Sequence, residues 1–129
     1  MARAGDHWCA LPLTQVRRVM TALKLHPLPG ASEQVAGLAE VDGEPLVVLS
    51  LERLIHAPAG PASEYPVTLL VRTREPGEVV GLAAAEAGDI VRLDEATIIG
   101  PGRGLIRGEA RIRDNLIQVL DLAKLGEEL

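Results

Sequence analysis

Hydrophobic residues along this chain come in short runs, and each run is closed by residues that favour turns. The breaks are Asp6, Pro27, Pro29-Gly30, Asp42-Gly43, Pro58 to Pro61, Glu75 to Gly77, Gly100 to Gly104 and Asp114-Asn115. Between them lie runs rich in Val, Ile and Leu: Trp8–Leu13, Val35–Val41, Leu46–Leu49, Val67–Thr73, Val79–Ala84, Ile90–Leu93, Ile106–Ile112 and Leu116–Leu120. Short strands at this spacing predict an all-β barrel or sandwich. Asp42-Gly43 and Asp114-Asn115 predict tight hairpin turns, because Asp, Asn and Gly accept positive φ. Helical signals are short. Ser50 and Asp121 are N-caps for Leu51–Ile55 and Leu122–Leu129, and Ser32 and Asp94 each start a single turn.

The pattern also repeats. Gly37–Leu54 aligns without a gap on Gly108–Leu125, 71 residues later. Gly37/Gly108, Ala39/Ala110, Val48/Val119, Leu49/Leu120, Leu51/Leu122 and Leu54/Leu125 are identical pairs. The same offset lays Cys9–Leu13 on Val80–Ala84. Two copies are too few for a solenoid, so the expectation is a pseudo-symmetric pair of half-domains sharing one core. Ala57–Ser63, rich in Pro and Ala, reads as the linker between them.

Composition narrows the function classes. A chain of 129 residues fits one compact domain. With Trp8 and Tyr65 its sole aromatic residues, the core must be aliphatic, and the stacking platforms of single-stranded nucleic-acid binding are missing. A net charge of −5 argues further against nucleic acid. The single Cys9 excludes an intramolecular disulfide and fits a cytoplasmic location. No apolar run approaches the roughly 20 residues of a membrane helix, so no direct membrane insertion is expected.

No catalytic constellation emerges. His7, His26 and His56 are far apart, with no Cys or carboxylate at ligand spacing, and read as surface or structural residues rather than metal ligands. Cys9 would need a base; His7 shares its side of the strand, but a buried inert thiol is the simpler reading. Gly100 to Gly104 looks like a phosphate loop, yet no Lys-Ser or Lys-Thr follows and Pro101 removes a donor. The expectation is a binding module with no cofactor and no metal, and not an enzyme.

The order of motifs resembles the CheW domain, the chemotaxis scaffold. Arg3–Val19 is similar to that family's opening, in which a strand and a Gly turn precede a "yaLPl" strand and Val-x-Glu-Val. Leu28 to Gly30, Val35 to Leu38, Gly43 and Leu46–Leu51 follow its central motif. Val67–Val71, Gly81-Leu82, Glu86, Ile90 to Arg92, Gly108 to Ala110 and Val119 to Leu122 follow its second half. The resemblance implies two pseudo-symmetric five-stranded SH3-like barrels packed together, with short helices. It places subdomain 1 at about 14–62 and subdomain 2 at about 63–105, completed by the terminal segments. It further implies an adaptor that binds the cytoplasmic tip of a methyl-accepting chemoreceptor and the regulatory domain of a CheA-type histidine kinase. The implied receptor groove comprises Val16, Val19, Gly37 and Leu82.

The departures from that family are specific. Its Glu of Val-x-Glu-Val is Arg18 here, and its Arg of the central hairpin is Asp42, so an ion pair is expected in reversed polarity at a partner interface. Ser50 replaces an Asp, and Ala85 replaces the Asp before Glu86. An alternative is therefore an accessory that binds a receptor without coupling to the kinase, as in gliding-motility systems such as the frizzy pathway of myxobacteria. An alternative from another class is a small-molecule or nucleotide sensor using the Gly100–Gly104 loop, which requires a deep polar pocket.

Overall fold

A computed structural model describes residues 1–21, 23–55, 66–73, 79–100, 102 and 104–125. Ten strands are present: β1 (Ala2–Ala4), β2 (His7–Ala10), β3 (Val16–Thr21), β4 (Val35–Val41), β5 (Glu44–Ser50), β6 (Val67–Arg72), β7 (Val79–Ala84), β8 (Glu86–Ala87), β9 (Ile106–Ile112) and β10 (Asn115–Leu120). One short helix, α1 (Leu51–Leu54), and 3-10 turns at Leu13–Gln15, Glu95–Thr97 and Leu122–Lys124 complete the described elements. The strands form two five-stranded sheets, in the orders β8-β1-β2-β10-β9 and β3-β6-β7-β5-β4. The architecture is all-β, two SH3-like barrels.

The two sheets are one pattern used twice. Val48 pairs with Gly81 in the parallel ladder of β5 and β7, and Val119 pairs with Ala10 in the parallel ladder of β10 and β2. Adding 71 to Val48 gives Val119, and adding 71 to Ala10 gives Gly81. The offset therefore preserves register as well as strand order. It also shows that the copies are intertwined: each gives its leading strand to the sheet of the other. This corrects the expected division at Ala57–Ser63, which itself lies outside the described residues. β6 and β7 lie beyond that linker but return to the sheet of β3, β4 and β5, so the sheets change over at Ala84 and Glu86. The cause is the parallel pairing, which needs a crossover rather than a hairpin.

Three apolar clusters follow. Each barrel has its own interior: Ala39, Leu46 and Val48 in one, and their equivalents Ala110, Ile117 and Val119 in the other. The outer faces of the two sheets pack on each other through a larger cluster that includes Ala2, Cys9, Leu49, Leu69, Val71, Leu82, Leu120, Leu122 and Leu125. Leu51 and Leu54 of α1 plug this shared core. Ser50 caps α1 by accepting from the Arg53 amide, and Asp121 accepts from the Ala123 amide in the second copy, as their side-chain chemistry predicts.

Boundaries moved where backbone chemistry intervened. The run Trp8–Leu13 ends as a strand at Ala10, since Pro12 has no amide to continue a ladder. The second hairpin turns on Arg113 and Asp114 (φ 50° and 65°), one residue before the expected Asp114-Asn115, matching Asp42 and Gly43 (φ 52° and 81°) under the offset. Ile90–Leu93 is not a strand: pairing at that edge stops after Ala87, which faces Ala2. The expected second helix is a 3-10 turn over Leu122–Lys124 followed by Leu125 in helical backbone, with 126–129 falling outside the described residues.

Candidate protein-docking site

β3 is an edge strand, paired on one side with β6. A register shift between Val16 and Arg18 inserts an extra residue, so Val16 and Val19 point to the same face of the sheet despite their odd spacing. Val16 is half-buried against the shared core, whereas Val19 is 53% exposed. Val19 begins a transverse row in which it pairs with Leu69, Leu69 with Leu82, Leu82 with Leu49, and Leu49 with Val35. The row is closed in its middle and open at β3.

Leu82, one of the four expected groove residues, is fully buried in that row. It supports the strands beneath a surface and presents nothing to a partner. Gly37 lies on β4, at the other end of the sheet, with its Val48 register partner inside the barrel. There it lets the segment at His26 cross the sheet edge, where the amides and carbonyls of His26 and Leu38 exchange hydrogen bonds of 2.8 Å. Of the four expected residues, the structure thus brings Val16 and Val19 together at an accessible edge.

The expected ion pair is formed. Arg18 Nη1 donates to Asp42 Oδ2 at 3.0 Å, tying β3 to the turn between β4 and β5. The sequence reading missed a second such pair, Arg113 Nη1 with Asp89 Oδ2 at 3.2 Å. The repeat offset, applied to Arg18 and Asp42, was the signal that finds it.

Reactive chemistry is absent among the described residues. No cluster of three or more His, Cys, Asp or Glu residues forms there. His7 and His26 are exposed, and His56 lies outside the described residues. Cys9 is fully buried, and that burial pushes its thiol pKa up to about 12, so it is not a nucleophile at neutral pH. A cavity of about 270 Å³ lies against the second barrel, lined mainly by aliphatic side chains including Leu11, Leu13, Ile90 and Leu93. At its rim Arg107 forks onto the Glu95 carboxylate, a hydrogen-bonded contact that holds the Glu95 pKa below its ordinary value. A second cavity, of about 430 Å³, is lined by residues including Trp8, Gly88 and Arg113. Neither includes Gly100, Gly102 or Gly104. No helix of the described residues is long and apolar enough to cross a membrane.

Among solved structures, the fold is similar to that of the scaffolding protein TtCheW from Thermoanaerobacter tengcongensis. The TM-score is 0.80 at 18% identity, covering 92% of this chain and 84% of that one. No curated protein matches the chain. The family model described as the CheW-like domain matches residues 1–129. The match along the whole length shows that this chain belongs to the CheW-like family, a family of non-enzymatic chemotaxis adaptors.

Proposed function

We propose that the chain is a cytoplasmic chemosensory adaptor whose β3 edge binds the cytoplasmic helical tip of a methyl-accepting chemoreceptor. The observation that carries this reading is the exposed Val19 beside half-buried Val16, at the open end of a buried aliphatic row. An amphipathic helix docks by laying apolar residues into such a groove. The adjoining Arg18–Asp42 pair is then the feature displayed to the regulatory domain of a CheA-type kinase.

A receptor-binding accessory that does not couple to the kinase is the second reading. The polarity of Arg18 and Asp42 favours it, since a charge pattern inverted at a docking face opposes a partner built for the other sign. Titrating receptor-tip peptides into wild-type protein and Val19→Glu tests the shared part. Loss of receptor binding in the variant, with an unchanged thermal melt, is expected; equal binding by both places the receptor elsewhere.

A further inference from the structure

The two barrels differ in how one corner of the interior is filled. In the first, Met20 of β3 is buried in a cluster with Val48 and Ala83, and half-buried Ala36 packs against it. The offset of 71 residues carries Met20, Ala36 and Val48 onto Val91, Arg107 and Val119, and carries Pro12 onto Ala83. In the second barrel those four counterparts, Val91, Arg107, Val119 and Pro12, line the cavity of about 270 Å³. The cavity therefore lies where the first barrel holds the Met20 side chain. Val91 is shorter than methionine, and strand pairing at that edge stops at Ala87, before the segment of Val91 is drawn into the sheet.

The wall is aliphatic, with Leu11, Leu93 and Ile98 among its side chains. Leu13 and Ile90, 58% and 74% exposed, also line it and leave it open to solvent. Apolar cavities stay dry and take up apolar molecules, and at about 30 Å³ for each water-sized group this one has room for about nine heavy atoms. Polar chemistry is confined to Arg107 and Glu95. The fork between them uses two of the five guanidinium N–H groups and leaves lone pairs free on both Glu95 oxygens. An anionic head group meets the Glu95 carboxylate, and a cationic one meets Arg107. An uncharged hydroxyl both accepts and donates, so it satisfies the two together without breaking the pair.

We propose that this cavity is a binding site for an uncharged, unbranched aliphatic alcohol, its chain in the place that Met20 fills in the other barrel and its hydroxyl on Arg107 and Glu95. The first barrel supplies the argument for the chain, since an unbranched, flexible side chain is what fits this corner of the fold. The Arg107–Glu95 pair supplies the argument for the head.

Titration of 1-octanol into the intact protein, followed by methyl-resolved NMR, tests this without any receptor or kinase. Saturable shifts are expected at Leu13, Val91, Leu93 and Ile98. Val91→Met copies the filling of the first barrel and is expected to weaken binding about tenfold or more, with a thermal melt equal to or above wild type. Arg107→Ala, which installs the residue of the first barrel, is expected to weaken binding about fivefold through loss of a hydrogen bond. Octanoate and octylammonium are expected to bind more weakly than 1-octanol. Absence of saturable shifts up to the solubility limit, undiminished binding by Val91→Met or Arg107→Ala, or a charged head group that binds as tightly as the alcohol overturns the proposal. A lowered melt in Val91→Met also overturns it, because it shows that the space was not free.

Discussion

Gly37 and Gly108 occupy the same place in the two barrels, each beneath a chain segment that crosses the sheet edge. A Cβ on Gly37 would stand 2.8 Å from the carbonyl oxygen of His26, and one on Gly108 would stand 2.7 Å from Ile98 Cγ2. The nearest neighbour is rigid backbone in the first case and a side-chain methyl in the second, where the Ile99 carbonyl oxygen follows at 3.0 Å. The closest approach, rather than any positive φ, explains why both copies keep glycine here. Gly37→Ala is expected to cost about 1–3 kcal/mol by overpacking, and Gly108→Ala less, because Ile98 is half-buried and able to shift. Urea unfolding of the two variants checks the order.

The Arg18–Asp42 contact is surface electrostatics. Arg18→Ala and Asp42→Ala are each expected to change stability by about 0–1 kcal/mol, and a double-mutant cycle to give a coupling in that same range. Chemical denaturation at low and high salt measures it, with the coupling shrinking as salt rises.

Leu82 and Val19 separate core from surface along one row. Leu82→Ala removes a fully buried side chain and is expected to destabilise by about 2–5 kcal/mol. Val19→Ala, at an exposed edge, is expected to stay within about 0.5 kcal/mol of wild type. Thermal or urea unfolding distinguishes the two.

Cys9 makes stability fall in alkali. Its folded pKa is raised by burial from an ordinary 9.0 to about 12. The folded state then holds the proton more tightly than the unfolded chain. The stabilisation is complete below about pH 9 and is lost as pH rises toward 12. Cys9→Ala is expected to flatten that alkaline decline. In native wild-type protein at pH 8, iodoacetamide should leave the thiol unmodified until denaturant is added.

Much of this fold was legible in hydrophobic spacing. β4, β7 and β9 fall on the residues that turn signals and aliphatic runs delimit. The repeat foretold equivalent barrels, and the caps at Ser50 and Asp121 followed from side-chain chemistry. Three strands escaped. β1 and β8 are too short to show a period, and β3 carries Arg17, Arg18 and Val19 exposed in succession around its register shift, which hides any alternation. The exchange of leading strands was also invisible, because an offset fixes which residues are equivalent and not which copy they join. Leu82 illustrates the limit for the docking site. A sequence match assigns a residue to a neighbourhood, and here burial alone distinguishes the side chain that presents a surface from the one beneath it.

The most direct test of the adaptor account is a pairwise binding measurement: the intact protein titrated with receptor-tip hairpins and, separately, with a kinase regulatory domain from the same organism. The account predicts saturable binding to the receptor tips that is lost in Val19→Glu, with kinase binding deciding between full scaffold and receptor-only accessory. Absence of binding to both partners, by protein whose thermal melt is intact, would contradict it.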